Sequence, residues 1–259
     1  KNILNQTPSE SGLCGSCHAV HGGNQNFMWV REMPLKNGGS PQDLCMSCHN
    51  EQGISKTKIT TGVSHTLNIS PAEKGLTATL PLFQKNGKMS KDGDMTCSTC
   101  HDAHKRSPVK SKSSTDVSIG GRPPNHFLRI EVAPNSDLCI SCHKDKVDVL
   151  YSDHNLLITA PDNKNALGWT PHESGVCGVC HIVHKSSEKI DLWAMAPGTG
   201  SNVMERMCNS CHSQNGAAAA KVPVISSHPD TLFISIWERS KKDPQPFPFF
   251  YTKTGRLSQ

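Results

Sequence analysis

The chain is predicted to be mostly irregular backbone, with short helices at six cysteine turns, one or two small hairpins, and a core that its own side chains do not supply. Three observations predict this. Of 259 residues, 35% are hydrophobic and only 5% aromatic, and the mean hydropathy is negative, which is lean for an ordinary packed core. The 20 Gly and 17 Pro are spread through the linkers and leave little room for long elements. All 12 cysteines fall in six Cys-x-x-Cys-His units, namely Cys14/Cys17/His18, Cys45/Cys48/His49, Cys97/Cys100/His101, Cys139/Cys142/His143, Cys177/Cys180/His181 and Cys208/Cys211/His212.

Cys-x-x-Cys-His is the attachment site of a c-type haem. On one helical turn, side chains at i and i+3 share a face, with i+4 beside them. Two sulfurs then reach the vinyl groups of one porphyrin while the next imidazole meets its iron. Six disulfides or a set of zinc knuckles would also use these cysteines, but neither needs a histidine after every second one. Histidine is 14 of 259 residues, so six chance placements have a probability on the order of 10⁻⁸. Six covalent haem c groups are expected. Large, flat and apolar, they supply the missing core, and the chain without them is expected to be largely unfolded.

The formal charge of +5 changes sign on this reading. With two propionates, each haem contributes about −1 oxidised and about −2 reduced. The loaded protein then carries about −1 or about −7, and no nucleic-acid partner is implied. No apolar run approaches the ~18 residues of a transmembrane helix; Ala217–Ile225 is short and contains Lys221 and Pro223. No signal peptide is visible, yet haem is joined to cysteine outside the cytoplasm. Lys1 is therefore expected to be a processed N-terminus, and its not being cysteine argues against a lipoprotein anchor.

The units form three two-haem modules, 1–75, 76–165 and 166–259. The first unit of each continues to a second histidine: His21, His104 and His184. The second unit lacks it and is followed, after a gap, by Ser64-His65, Asp153-His154 or Ser227-His228. The two first cysteines of a module are 31, 42 and 31 residues apart, and the excess in the middle module maps to a loop, 105–125, rich in Lys, Ser, Gly and Pro. Modules one and three share wording, Pro8-Ser-Glu-Ser-Gly-Leu-Cys-Gly against Pro171-His-Glu-Ser-Gly-Val-Cys-Gly. The motifs are expected to open short helices, with Asp137 and Glu173 just upstream. Hairpins are expected at 80–90 and in the aromatic C-terminal tail at 247–258, each with an apolar arm and a polar turn ending in Gly.

Paired Cys-x-x-Cys-His units, the first extended as Cys-His-x-x-His, resemble the doubled-motif multihaem c-type cytochromes of anaerobic and metal-reducing microbes. From Gly12 to about His228 the plan is similar to the hexahaem extracellular nanowire cytochromes. The resemblance implies a multihaem cytochrome c fold, two histidines on each iron, and electrons passed along closely packed haems. The proximal ligands are then His18, His49, His101, His143, His181 and His212. Equivalent positions nominate His21, His65, His104, His154, His184 and His228 as distal ones. His126 and His172 do not recur between modules and are left over. His181 and His184, read as neighbours on one helical turn, cannot bind opposite faces of one haem, so His184 is expected to reach another.

An enzyme acting on small nitrogen compounds would need an iron with an open axial position. The histidine supply exceeds the demand, Lys144 follows His143 without replacing it, and methionine ligation beside Met46 or Met207 is not needed. No catalytic residues are nominated, and no enzyme activity is expected. The expected role is extracytoplasmic electron transfer at the cell surface or beyond it, between redox partner proteins or to extracellular acceptors; a soluble periplasmic carrier is the alternative. Copies are expected to join head to tail. If His65 serves the haem on Cys97 and His154 that on Cys177, then His228 has no haem left in its own chain, and the haem on Cys14 has no donor. A contact of that kind does not close and generates a filament. The alternatives are a self-sufficient monomer and a piece of a longer cytochrome.

Overall fold

Short capped helices lead into the haem motifs, and the chain between them runs as clasps and turns. A computed structural model describes residues 1–23, 27–30, 41–56, 63–105, 127–186 and 191–221. They belong to two units, Lys1–Ser210 and Cys211–Gln259. Cys208 lies near the end of the first, and Cys211 opens the second.

Among the described residues the α-helices are α1 (Pro8–Gly15), α2 (Pro41–Cys48), α3 (Cys97–Cys100), α4 (Asp137–Ile140), α5 (Leu156–Thr159), α6 (Pro171–Gly178) and α7 (Val203–Asn209). Apart from α3, the haem motif closes its helix and does not open it, because the start signals lie upstream. In α1 the Thr7 amide and hydroxyl both donate to the Glu10 carboxylate, at 2.7 and 2.8 Å. In α6 Thr170 does the same with Glu173, at 2.9 and 3.1 Å, which is the capping-box arrangement. The Asn202 side chain accepts from the Glu205 amide at 2.9 Å to start α7. The chain then leaves the helical region at the motif histidine, as His101 does at φ −108°, ψ 143°.

The expectation that both sulfurs of a motif stand on one helical turn needs correction in four motifs. Only α2 and α3 contain both of their cysteines. In α1, α4, α6 and α7 the helix stops between the two, leaving Cys17, Cys142, Cys180 and Cys211 beyond its end. The turn itself persists in a tighter form. Cys17 N donates to Cys14 O at 3.1 Å, Cys142 N to Cys139 O at 3.2 Å and Cys180 N to Cys177 O at 3.1 Å. These are three-residue bonds of the 3₁₀ kind, usual where a helix ends. The same three carbonyls accept from His18, His143 and His181, at 2.8–2.9 Å, so the motif still closes on itself before the chain departs.

The extended exit allows a clasp that recurs in all three modules. His18 bridges Trp29, His101 bridges Leu128 and His181 bridges Trp193, each antiparallel. The cysteine before each histidine accepts from the far strand: Val30 N to Cys17 O at 3.1 Å, and Arg129 N to Cys100 O and Ala194 N to Cys180 O, both at 2.8 Å. The residue before each bridge partner is left-handed, with φ of 55° at Met28, 54° at Phe127 and 55° at Leu192. A second repeated device is an asparagine. Asn2 donates to Gly15 O at 3.2 Å, and Asn165 donates to Gly178 O at 2.9 Å. Each also collects two nearby amides on its side-chain oxygen, tying the turn before the helix to the helix end.

The buried apolar residues follow these clasps and do not form a separate core: Ala19, Trp29 and Val30 in the first module, Val176, Val179, Ile182 and Ala194 in the third. In the middle module Leu80, Leu82, Phe83 and Met95 are buried around the chain reversal at 80–90. Gln84 N donates to Lys88 O at 2.8 Å, Ser90 N to Leu82 O at 3.0 Å, and Phe83 exchanges both backbone bonds with Asp94. The second expected hairpin, 247–258, lies outside the described residues, as does nearly all of the loop 105–125. Among the described residues the one sheet is β1 (Val63–Ser64) against β2 (His184–Ser186), antiparallel. It joins modules one and three, with a bulge at left-handed Lys185.

Candidate haem-binding sites

Each clasp aims its motif histidine. The Nδ1–H of His18 donates to Phe27 O at 2.9 Å, and that of His181 to Asp191 O. A carbonyl can only accept, so the proton is fixed on Nδ1 and the Nε2 lone pair is left for a metal. Phe27 and Asp191 each precede the bridging tryptophan by two residues. Trp29 lies over His18 with ring centres 4.8 Å apart and planes at 21°, whereas Trp193 meets His181 edge-on at 6.0 Å. The counterpart of these carbonyls for His101 falls on His126, outside the described residues.

Three imidazole pairs follow. His18 and His104 have ring centres 6.1 Å apart and planes at 20°. His101 and His184 are 6.4 Å apart at 21°. His65 and His143 are 6.2 Å apart at 61°. Two imidazoles bound to one metal through nitrogens at ~2.0 Å stand with their ring centres ~6 Å apart, so all three pairs fit one iron between them. This pairing differs from the one suggested by motif spacing. His65 stands beside His143 rather than His101, and the motif of Cys14 and Cys17 has a second imidazole, His104, in the same chain. The helical-turn argument for His184 also fails in its premise: His181 is extended and His184 begins β2. His184 nevertheless faces the imidazole of a different motif.

The small sheet sets two of these histidines at once. Ser64 pairs with His184, and the next amide, His65 N, donates to Val183 O at 2.8 Å. One strand pair therefore presents His184 to His101 and His65 to His143. Burial, and after it the like charge of His65, holds the His143 imidazole below its ordinary range.

Cysteines of successive motifs also meet. The Cys45 and Cys97 side chains are hydrogen-bond partners, as are Cys139 and Cys177. The neighbouring sulfur and burial together raise the Cys45 and Cys139 thiols, and the same contact, ahead of the Ser136 hydroxyl, lowers Cys177 to about 6. Cys142 links the remaining neighbours. Burial, and after it the sulfur charge of Cys142, pushes the Cys100 thiol up to about 11, so the third and fourth motifs lie within each other's field. Cys142 is itself half-buried and stands 3.8 Å from the Ser141 hydroxyl, as Cys48 does from that of Ser47. One sulfur of the second motif thus meets one of the third, and one of the fourth meets one of the fifth.

No two cysteines are joined in a disulfide, so the six-disulfide reading has no support in the fold. Among the described residues no three His, Cys, Asp or Glu side chains gather as a bare metal site, so the cysteines do not form the four-ligand clusters of a zinc knuckle. What this chain offers a haem is two sulfurs on one turn, an oriented imidazole and a facing imidazole.

The second motif of a module turns differently. After His49 the chain curls so that a Cβ on Gly53 would stand 2.1 Å from Cys48 O; on Gly216, after His212, it would stand 2.1 Å from Cys211 O. Only glycine fits there. The middle module has Val147 at this place and, past Cys142 and His143, continues instead as a 3₁₀ helix, Lys144–Tyr151. Of the remaining nominated residues, His49 and His212 are half-buried, and His21, His154 and the left-over His172 are exposed. His228 lies outside the described residues. Sequence reading missed Asn2 and Asn165, and the Phe27 and Asp191 carbonyls. The identical offset of both asparagines from their haem cysteines was the available signal.

Residues 7–54 match the family model of the doubled CXXCH motif. No curated protein and no solved structure matches the chain. The doubled motif is a signature of multihaem c-type cytochromes and marks covalently bound c-type haem for electron transfer. Such proteins typically work outside the cytoplasm. No helix among the described residues is long and apolar enough to cross a membrane.

Proposed function

We propose that the chain carries six covalent c-type haems, each iron held by two histidines, and conducts electrons along them in an extracellular filament. The observation that carries the reading is the set of three imidazole pairs 6.1–6.4 Å apart. The haem supplies the ferric–ferrous couple; the protein supplies spacing and ligands. Two imidazoles favour ferric iron, so low potentials go with this ligation. The sulfur neighbours Cys45 with Cys97, Cys100 with Cys142, and Cys139 with Cys177 support a row of the second, third, fourth and fifth motifs in that order.

The ligand pairs follow one rule. The first haem of a module takes its distal histidine from the next module, as His18 faces His104 and His101 faces His184. The second haem takes it from the module before, as His143 faces His65. The haem on Cys177 then takes His21 of another copy, and the haem on Cys45 takes His228 of the copy on the other side. This exchange replaces the expected pairing of His228 with the first haem. It is a heterologous contact that does not close.

A pyridine haemochrome titration with the mass of the loaded chain tests the count, and six haems are expected. The oxidised spectrum should be low-spin throughout in the assembled protein. A high-spin iron that persists in the assembly overturns the carrier reading in favour of an open catalytic site.

A further inference from the structure

α1 and α6 are one element made twice. Both read Pro-x-Glu-Ser-Gly-x-Cys-Gly, both carry the threonine–glutamate cap, and both kink at the glycine, with φ 71° at Gly12 and 78° at Gly175. Their burial is opposite. In α6 Pro171, Ser174, Gly175 and Val176 are buried, whereas α1 buries nothing. Val176 is 2% exposed, and Leu13, which occupies its place in α1, is 91% exposed.

The cover on α6 is the segment Val132–Ser136, which leads into the fourth haem motif. Val176 N donates to Pro134 O at 3.2 Å, and Cys177 N donates to the Ser136 hydroxyl at 2.9 Å. A Cβ at Gly175 would stand 2.5 Å from Ser136 Oγ and 2.6 Å from Val132 O, whereas one at Gly12 would meet nothing within 4 Å. The same contact brings Cys139 to Cys177. In the third module the segment leading into the sixth motif starts from the same Ala-Pro pair, Ala196-Pro197 for Ala133-Pro134, but is six residues longer before its first cysteine, and Pro197–Met204 makes up most of it. There Pro197, Ser201, Asn202 and Met204 are exposed, Met204 at 63%. Cys14 and Cys208 are exposed as well. The chain thus contains this joint once in full, with α1 exposed in its first module and an exposed Pro-led segment ahead of the sixth motif in its third.

We infer that α1 of one copy docks against the Pro197–Met204 segment of a second copy, repeating the contact of α6 with Val132–Ser136, with Leu13 at its apolar centre. This rests on the head-to-tail reading above and adds the surface that makes the joint. A lone exposed leucine would need no explanation; its buried twin in the same sequence context supplies one. The joint sets Cys14 against Cys208, as Cys177 lies against Cys139, and so continues the haem row across the boundary.

The test uses the haem-loaded full chain, its particle mass in solution, and Leu13→Glu and Met204→Glu, both at exposed positions that are neither haem cysteines nor nominated iron ligands. Burying the new charge should weaken association at least about 100-fold, leaving each variant a single chain with its haem count unchanged. An equimolar mixture of the two variants should form dimers and nothing longer, because each retains the face the other lacks. If wild type assembles and Leu13→Glu assembles equally well, this surface is wrong while the filament reading stands. If wild type is itself a single chain, the head-to-tail reading fails and this joint fails with it. Long assemblies from the mixture would reject the two-faced geometry.

Discussion

The imidazoles of His101 and His184, from motifs in different modules, face each other with ring centres 6.4 Å apart and planes 21° from parallel. His184 sits three residues after the motif histidine of its own module, yet it is directed to a neighbour's. The modules are therefore interlocked through these facing histidines and are not strung side by side.

Removing one facing imidazole should expose one particular iron. His184→Ala is expected to turn about one-sixth of the haem high-spin, and His104→Ala another sixth; the double variant should reach about one-third. Electron paramagnetic resonance of the oxidised protein reads this directly. A fully low-spin signal in either single variant rejects that pair.

Gly12 and Gly175 share a conformation but not surroundings. Alanine at either meets backbone strain of about 1–3 kcal/mol. At Gly175 it also collides with Ser136 and Val132, which adds a further loss of about 1–3 kcal/mol from overpacking. Denaturant unfolding of the loaded chain should rank Gly175→Ala clearly below Gly12→Ala; equal midpoints would contradict the packing described.

Arg129 braces the third motif by donating from Nη1 to Asp102 at 2.9 Å and from Nε to Ser98 O at 2.7 Å, and its own carbonyl accepts from Lys105 at 2.6 Å. Arg129→Ala is expected to cost about 1.5–3 kcal/mol, the range for charge-assisted bonds. Arg129→Lys should recover less than half, since an ammonium cannot span both acceptors. Thermal melts of the two variants check this, and full rescue by lysine would show that charge alone matters.

Haem attachment should be required for folding. The described apolar core is a handful of residues around the clasps, too few to offset the chain entropy of this length. Chain made without haem maturation should show a largely disordered far-ultraviolet circular dichroism spectrum. A cooperative melt of that material would reverse the conclusion.

The motifs were legible because each is local: two sulfurs and an imidazole within five consecutive residues need no knowledge of the rest of the chain. The scarcity of regular structure followed for the same reason, from Gly, Pro and the lean apolar count. Where each helix stops was less legible, since Cys142 and Cys180 fall past the end while Cys100, itself followed by an extended histidine, does not. The imidazole partners were not legible, since His65 reaches His143 only because β1 crosses to β2, and nothing in the wording near Val63 announces a strand of two residues. His184 was read on a helical turn because the motif begins on one. The clasp from Leu192 instead draws His181 and the residues after it into extended backbone. The carbonyls of Phe27 and Asp191 carry no side-chain signature at all.

The strand pair Val63–Ser64 and His184–Ser186 holds His65 and His184 on adjoining backbone. If the loops around it breathe, both rings travel together. With irons seated as proposed, the gap between the two central haems is then conserved even when their absolute positions are not. Electron tunnelling falls off exponentially with gap and is indifferent to where in the molecule the gap sits. This backbone would therefore protect one of the gaps on which conduction along the row depends, whatever small movements its surroundings make.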